Sequence, residues 1–312
     1  MKRFLKTTAR IIITLFILLN IVVMFHAYKF TYFYDADEVV IKANEHKTGW
    51  DKTKELLFGF NAVKKKCIAP DSSYKTIYLT TADNLKLEAW LVTVPNPKGS
   101  VAMFHGHGGN KAGIINEAAA FRSMGYNTLL LDFRAHGNSE GHTSTIGYKE
   151  SEDVKLAYDY MQKTGEKNII LWGISLGAAA VTKAISDYAI APQKIILEMP
   201  FGTLPDAVEG RIKMMGLPAQ PISCLLTFWG GVEHGFWAFN LRPCDYVKKI
   251  KCPVLLQRGK NDLRVTEKET MQLYNNISAP KKLVIYENCG HESLYSKEPV
   301  KWRGEISDFL AH

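Results

Sequence analysis

A chain of 312 residues, 46% apolar and 22% charged, has the size for one large α/β domain and a composition that excludes a disordered, collagen-like or coiled-coil protein. Its formal charge of +8 gathers at Lys2, Arg3, Lys6 and Arg10 and at Lys64 to Lys66; no zinc-finger, RNP or helix-turn-helix pattern accompanies it, so no nucleic-acid partner is expected. The five cysteines (Cys67, Cys224, Cys244, Cys252, Cys289) show no ligand-like spacing, so neither a metal nor a cofactor is expected, and no disulfide pair can be named.

Residues 11–28, IIITLFILLNIVVMFHAY, carry no charge. Eighteen residues at 1.5 Å each reach about 27 Å, enough for a bilayer's hydrocarbon core. A cleavable signal peptide needs small residues before its cut, and Phe25-His26-Ala27 puts a bulky one there. A buried core helix fits poorly behind four basic residues. The reading is therefore a basic cytoplasmic tail (1–10), an uncleaved transmembrane signal anchor (11–28), a juxtamembrane connector (29–70) and a folded domain (71–312). Phe30, Tyr32, Phe33 and Tyr34 fall where an interfacial aromatic belt is expected. Positive charge before the span and Asp35, Asp37 and Glu38 after it put the domain on the exocytoplasmic side. The connector's WDKTKELLFGF has helical spacing, on the membrane or on the domain.

From Ser73 the pattern changes. YKTIYLTT and LKLEAWLVTV alternate like paired antiparallel strands joined at Asp83-Asn84. VAMFH, NTLLLDF, NIILWG, KIILEM, PVLLQRG and KLVIY are short continuous apolar runs, the kind buried in parallel sheets. Helical stretches separate them, from INEAAAFRSMG to PVKWRGEISDFL. Alternation predicts an α/β fold: a mostly parallel sheet of eight-stranded type with helices on both faces. Some fifty residues after Met199 break the rhythm, and a structureless loop that long is improbable in a compact domain. A short helical cap is expected there, at about 202–243.

Gly173-Ile174-Ser175-Leu176-Gly177 stands between a strand and a small-residue helix. That is G-x-S-x-G in the strand-turn-helix setting that lifts a nucleophilic hydroxyl above the sheet. Glycines two before and two after avoid a Cβ clash in so sharp a turn. FHGHGG (104–109) follows another strand, and its Gly106 and Gly108 let the backbone turn inward. The N–H groups of His107 and Leu176 are the expected oxyanion donors. The imidazoles of His105 and His107 are read as structural or pocket-lining. Asp262, on the loop after PVLLQRG, is the expected acid, with Glu198 at the end of KIILEM as the alternative. His291, after a glycine turn before the last helix, is the expected base, held in its tautomer by the acid.

FHGHGGN, LDFRAHGNSEG, GISLG, LEMPF, GKNDLRV and GHESL together resemble the α/β-hydrolase superfamily, in its lysophospholipase-like, membrane-anchored branch, over residues 73–312. The resemblance implies an α/β-hydrolase fold, the order Ser175, Asp262, His291, and a bracing role for Asp132, Arg134, His136 and Gly137. It implies hydrolysis of carboxylic esters or thioesters of a small acyl substrate through an acyl-enzyme on Ser175; contact with membrane lipid is expected from the charge-free N-terminal span instead. An aminopeptidase-like activity is the alternative and would need cap carboxylates such as Asp206, Glu209 or Glu233 to hold an amine. A non-catalytic anchored binding protein is the alternative from another class.

Overall fold

The computed structural model describes residues 2–39, 46–69 and 73–311. The boundary expected at 70/71 lies outside the described residues. In chain order the elements are α1 (Lys2–Thr31), β1 (Phe33–Tyr34), α2 (Gly49–Phe58), β2 (Ala62–Val63), β3 (Lys75–Thr80), β4 (Lys86–Val92), β5 (Ser100–Phe104), α3 (Ile115–Ser123), β6 (Asn127–Leu131), α4 (Glu150–Lys163), β7 (Ile169–Ile174) and α5 (Leu176–Tyr188). There follow β8 (Lys194–Glu198), α6 (Leu204–Met214), α7 (Ile222–His234), α8 (Pro243–Tyr246), β9 (Val254–Gly259), α9 (Glu267–Asn276), β10 (Lys281–Tyr286), α10 (Leu294–Lys297) and α11 (Pro299–Ala311).

Eight strands form one sheet in the order β10-β9-β8-β7-β5-β6-β4-β3. Only β3–β4 and β4–β6 are antiparallel; the other pairings are parallel. This is the mostly parallel eight-stranded sheet expected from the alternation of runs, in the α/β-hydrolase arrangement that the resemblance implies. Each central run is apolar throughout because successive side chains point to opposite faces and both faces are covered. On one face Ala102, Phe104, Leu171, Leu197 and Leu256 pack with Val154, Ala157 and Met161 of α4 and Val181 and Ala184 of α5. On the other, Val101, Met103, Trp172, Ile196 and Leu255 pack with Phe121 of α3 and Trp302 and Ile306 of α11. Burial of each such large side chain contributes about 1.5–3 kcal/mol.

The first helix runs past the apolar span, far on its amino-terminal side, from Lys2, and by three residues on the other, to Thr31. Its best 18-residue window has a mean hydropathy of 2.4, long and apolar enough to cross a membrane. Ile11, Ile12, Ile13, Leu15, Phe16, Ile17 and Leu18 are exposed, while Val23, Ala27 and Thr31, spaced by four and so on one helical face, are buried. That face packs on α7: the Trp229 indole N–H donates to Asn20 Oδ1 at 3.1 Å, and His234 Nε2 lies 2.8 Å from Thr31 Oγ1.

The aromatics after the span depart from the expected interfacial belt. Phe33 is 3% exposed, Phe30 stacks on His107, and Tyr32 stacks on His142. The reason is local. The Phe33 N–H donates to the His142 carbonyl at 2.7 Å and the Ser144 N–H to the Thr31 carbonyl at 2.8 Å, stitching the end of α1 onto the domain. The connector's α2, started by a Thr48–Asp51 capping box, leans on α1 through an edge-on Phe25–Phe58 contact at 5.1 Å. The five cysteines are free thiols.

Candidate active site

Ser175 sits at the β7–α5 junction with φ 54° and ψ −113°, a backbone state that costs about 1–3 kcal/mol and persists only where neighbours enforce it. A Cβ on Gly173 would lie 2.6 Å from the Gly177 carbonyl carbon, and one on Gly177 would overlap the carbonyl oxygen of Phe104. The Ser175 N–H donates to the Glu198 carbonyl at 2.8 Å, tying the turn to β8.

The loops after β9 and β10 are zipped together. The Lys260 N–H donates to the Tyr286 carbonyl at 2.8 Å and the Asn261 N–H to the Cys289 carbonyl at 2.9 Å. A Cβ on Gly259 would overlap the Gly290 carbonyl, so only glycine lets these strands of loop meet. The zipper delivers His291 between two partners: its Nε2 is 2.9 Å from Ser175 Oγ and its Nδ1 is 2.7 Å from Asp262 Oδ2. The other carboxylate oxygen, Asp262 Oδ1, accepts the N–H groups of Arg264 at 2.8 Å and Val265 at 2.9 Å. The alternative acid is elsewhere. Glu198 Oε1 accepts the indole N–H of Trp172 at 2.9 Å and of Trp302 at 2.7 Å, and burial pushes this carboxyl up to about 8 against the lowering effect of the indoles. It is a neutral acid bonded to two indoles, and the structure brings Asp262, not Glu198, to the histidine.

Residues 106–109 close a turn through a Gly109 N–H to Gly106 carbonyl bond of 3.0 Å, with Gly108 at φ 69°. A Cβ on Gly106 would stand 3.5 Å from Ser175 Cβ, so this turn borders the hydroxyl. Its central residue His107 and the first helical residue Leu176, whose N–H has no intrahelical partner, are the two candidate donors.

Two buried imidazoles hold the turn. His105 Nδ1 is 2.8 Å from the Gly106 carbonyl, and its Nε2 is 3.2 Å from the Phe133 N–H. His136 Nδ1 is 2.9 Å from the Arg134 carbonyl, and its Nε2 is 3.1 Å from the Gly108 N–H. A carbonyl only accepts and an amide N–H only donates, so each ring is the neutral Nδ1–H tautomer. Burial pushes both down to about 4, which agrees. The His107 ring is also buried, held well below its ordinary value by desolvation, with Phe30 stacked on it at 4.6 Å and Phe33 edge-on at 5.3 Å.

The loop after β6 is braced by charge. Arg134 Nη2 lies 2.6 Å from Asp153 and 2.8 Å from Glu152. Asp132 accepts the N–H of Lys111 at 2.6 Å and of Asn138 at 2.8 Å and ion-pairs with the Lys111 ammonium. A Cβ on Gly137 would overlap that carboxylate, and its φ of 54° is one glycine adopts freely. Sequence reasoning missed Phe30 and Phe33, whose contacts are wholly tertiary, and Gly259, which a glycine closing an apolar strand could have signalled. Asp35, Glu38 and His142 bring three potential ligand atoms within 4.8 Å of one another, but Lys64 lies 3.0 Å from Asp35 and already supplies a countercharge.

Residues 95–226 match the family described as Hydrolase_4: Serine aminopeptidase, S33. The chain is similar to the uncharacterized protein YqkD of Bacillus subtilis (strain 168), with 25% identity over 278 residues, 88% of this chain and 87% of that one. It is also similar to the lysophosphatidylserine lipase ABHD12 of Xenopus tropicalis, with 24% identity over 68% of this chain and 57% of that one. The Danio rerio counterpart is 26% identical over 59% of this chain and 48% of its own. The chain thus spans about half the length of these lipases. Among solved structures, the Pyrococcus furiosus esterase Pf2001 superposes with a TM-score of 0.65 at 21% identity, over 80% of this chain and 96% of that one. Est1E of Butyrivibrio proteoclasticus superposes with a TM-score of 0.61 at 20% identity, over 75% of this chain and 98% of that one. Family match, lipase and esterase relatives and the eight-stranded sheet agree: the chain has the α/β-hydrolase fold and is a hydrolytic enzyme.

Proposed function

We propose that the chain is a membrane-anchored serine hydrolase that cleaves carboxylic esters or thioesters of acyl chains. In this reading His291 Nε2 takes the Ser175 proton as Oγ bonds to the carbonyl carbon. The oxyanion that forms accepts the N–H groups of His107 and Leu176, and Asp262 stabilises the imidazolium. Collapse breaks the ester bond, and the leaving alcohol or thiol takes the proton back from His291. Water, deprotonated by the same nitrogen, then releases the acid and restores Ser175. The single observation that supports this most is the bridge His291 makes, 2.9 Å to Ser175 and 2.7 Å to Asp262.

Two charge-free stretches support an apolar, membrane-borne substrate. Residues 11–28 are one; residues 214–232, from the end of α6 through most of α7, are the other. The second packs along the first at Trp229–Asn20 and exposes Met214, Met215, Leu217, Phe228 and Val232. In this reading the cap lies beside the membrane anchor, and the flanking charges favour a cytoplasmic amino terminus with the catalytic domain beyond the membrane. The family description favours a peptidase as second reading, but that reading needs free cap carboxylates. Glu209 is paired with Lys213, Asp206 is bonded to Thr203, and burial pushes Glu233 up to about 7. The test is a series of p-nitrophenyl esters of increasing acyl length, hydrolysed by the full chain in detergent micelles. Burial of a methylene is worth about 0.8 kcal/mol, so four extra carbons should raise kcat/KM at least tenfold. A flat series contradicts an acyl-lipid substrate.

A further inference from the structure

The turn that borders Ser175 is a loose stretch of chain with one side chain to hold it by. Of residues 106–109, only His107 is not glycine. Glycine backbone changes φ and ψ at little cost, so an N–H placed among glycines can turn away as readily as it turns in. Whatever fixes the His107 N–H must therefore act on the His107 ring or on the hydrogen bonds of its neighbours. The flanking imidazoles, His105 and His136, are each held by two hydrogen bonds. The His107 ring is held differently: its Nε2 is buried and finds no hydrogen-bond partner among the described residues. Packing must fix it.

The rings that pack on it come from the carboxyl end of α1, the helix read as the membrane anchor. Phe30, in the last turn of α1, stacks on the imidazole with centroids 4.6 Å apart and planes 17° from parallel. Phe33, in β1, meets the same imidazole at 5.3 Å and tilts over His136 at 4.6 Å. His136 is the ring that accepts the Gly108 N–H at 3.1 Å. A Cβ on Gly108 would stand 3.9 Å from the Phe33 ring, so that ring lies against the turn's own backbone. Neither phenylalanine is free to swing. Backbone bonds from Phe33 to His142 and from Ser144 to Thr31 fasten the segment between them, and Tyr32 pairs with Thr143. The Phe30 ring also carries the Arg211 guanidinium of cap helix α6, 4.5 Å from its centroid.

We propose that Phe30 and Phe33 are positioning residues: the end of the anchor helix clamps the His107 ring and so keeps the His107 N–H turned toward the oxyanion. This rests on the hydrolase reading above, with His107 as a donor, and makes the anchor part of the active site as well as its tether. A chain whose α1 was drawn away from the 142–144 loop would keep Ser175, His291 and Asp262 in register yet lose an oxyanion donor.

The experiment compares Phe30→Leu, Phe33→Leu and His107→Ala with wild type, as full chains in detergent micelles. His107→Ala keeps the backbone N–H and removes only the clamped ring. The substrate is a p-nitrophenyl ester, and the inhibitor is a trifluoromethyl ketone of the same acyl chain, whose adduct with Ser175 carries the oxyanion. Loss of one oxyanion donor costs about 10²–10³-fold in kcat, so a loosened donor should cost on the order of ten- to a hundredfold. KM should stay within about threefold, the split expected when an interaction made only in the transition state is lost. Inhibition by the ketone should weaken by the same factor as kcat falls. Phe30→Tyr, which keeps a stacking ring, should bring kcat back to within about threefold of wild type. Because the rings act through His107, adding Phe30→Leu to His107→Ala should cost nothing further. A loss carried by KM would make the two rings a wall for the substrate and overturn the proposal. So would an unchanged kcat in Phe30→Leu or His107→Ala, or additive losses in the double variant. If the buried Phe33→Leu does not fold, the half-buried Phe30 and the double variant decide the matter alone. Ester turnover retained by Ser175→Ala would instead sink the hydrolase reading, whatever the rings do.

Discussion

Replacing Asp262 by asparagine asks one atom to change sign while the geometry stays. Asp262 Oδ1 accepts two backbone N–H groups, from Arg264 and Val265, and Oδ2 faces His291 Nδ1 at 2.7 Å. Asparagine has one acceptor oxygen. If it stays at the Oδ1 position both amides remain satisfied, and the NH2 group points at His291 Nδ1. That nitrogen must then become the acceptor, so the proton moves to Nε2, which faces Ser175 Oγ as a donor and can no longer take its proton. The opposite amide rotamer would keep the useful tautomer but set NH2 against two N–H donors, leaving both without an acceptor at about 1–3 kcal/mol each. The wrong tautomer wins by a few kcal/mol. The expected loss in kcat is on the order of 10⁴-fold, the size of the effect when a serine protease triad undergoes the same aspartate-to-asparagine exchange, with KM and the melting temperature little changed. Steady-state kinetics on a p-nitrophenyl ester, with thermal melting as control, measure it. A loss under tenfold with the fold intact would refute the tautomer argument.

Glu198→Gln should be quiet in catalysis, within about threefold in kcat, because an amide oxygen can keep both indole bonds and the carboxyl is already neutral at pH 7 with its value near 8. Its signature is pH-dependent: a carboxyl raised in the folded state gives up stability as pH climbs from about 4.5 towards 8, so the variant should melt progressively higher than wild type over that interval. A large loss of activity in Glu198→Gln would move the acid role to it. His105 and His136 act in the opposite direction. Both are lowered to about 4 by burial, so the unfolded chain binds their protons first; the stability is complete above about pH 6.5 and drains as pH falls to 4, at about 3 kcal/mol per histidine. Chemical denaturation between pH 7 and 4 should show that slope, and His136→Gln should reduce it by the share of one histidine. Lys111→Met should cost about 3–5 kcal/mol, because it strands Asp132 in the interior, and a melting temperature within a degree of wild type would contradict the ion-pair argument.

The sheet was legible because its central strands are buried on both faces, so NIILWG and PVLLQRG read as unbroken apolar runs and the helices between them as their own period. The antiparallel pair was legible for the converse reason, alternation plus Asn84, which does take φ 63°. At the site, Ser175 announced itself through two glycines that have no room for a Cβ, and Asp262 and His291 through loops at strand ends. Other features left no local mark. Glu198 ends a strand where an acid could serve, and only the indoles of Trp172 and Trp302, brought in from distant segments, show that it is a neutral hydrogen-bonding post. Phe30 and Phe33 read as membrane-interface residues because composition near a span points that way. Backbone bonds to the 142–144 loop, invisible to any local pattern, pull them onto His107 and His136 instead. The seam between α6 and the Asp262 loop is likewise a product of packing, since a Cβ on Gly210 would overlap the Arg264 carbonyl.

The central claim is that Ser175 is a nucleophile activated by His291. Incubation of the full chain with a fluorophosphonate, followed by intact-mass and peptide analysis, tests it directly. The account predicts one adduct per chain, on Ser175, formed slowly or not at all in His291→Ala and absent in Ser175→Ala together with ester hydrolysis. An adduct on another residue, or ester turnover that survives Ser175→Ala, would contradict it.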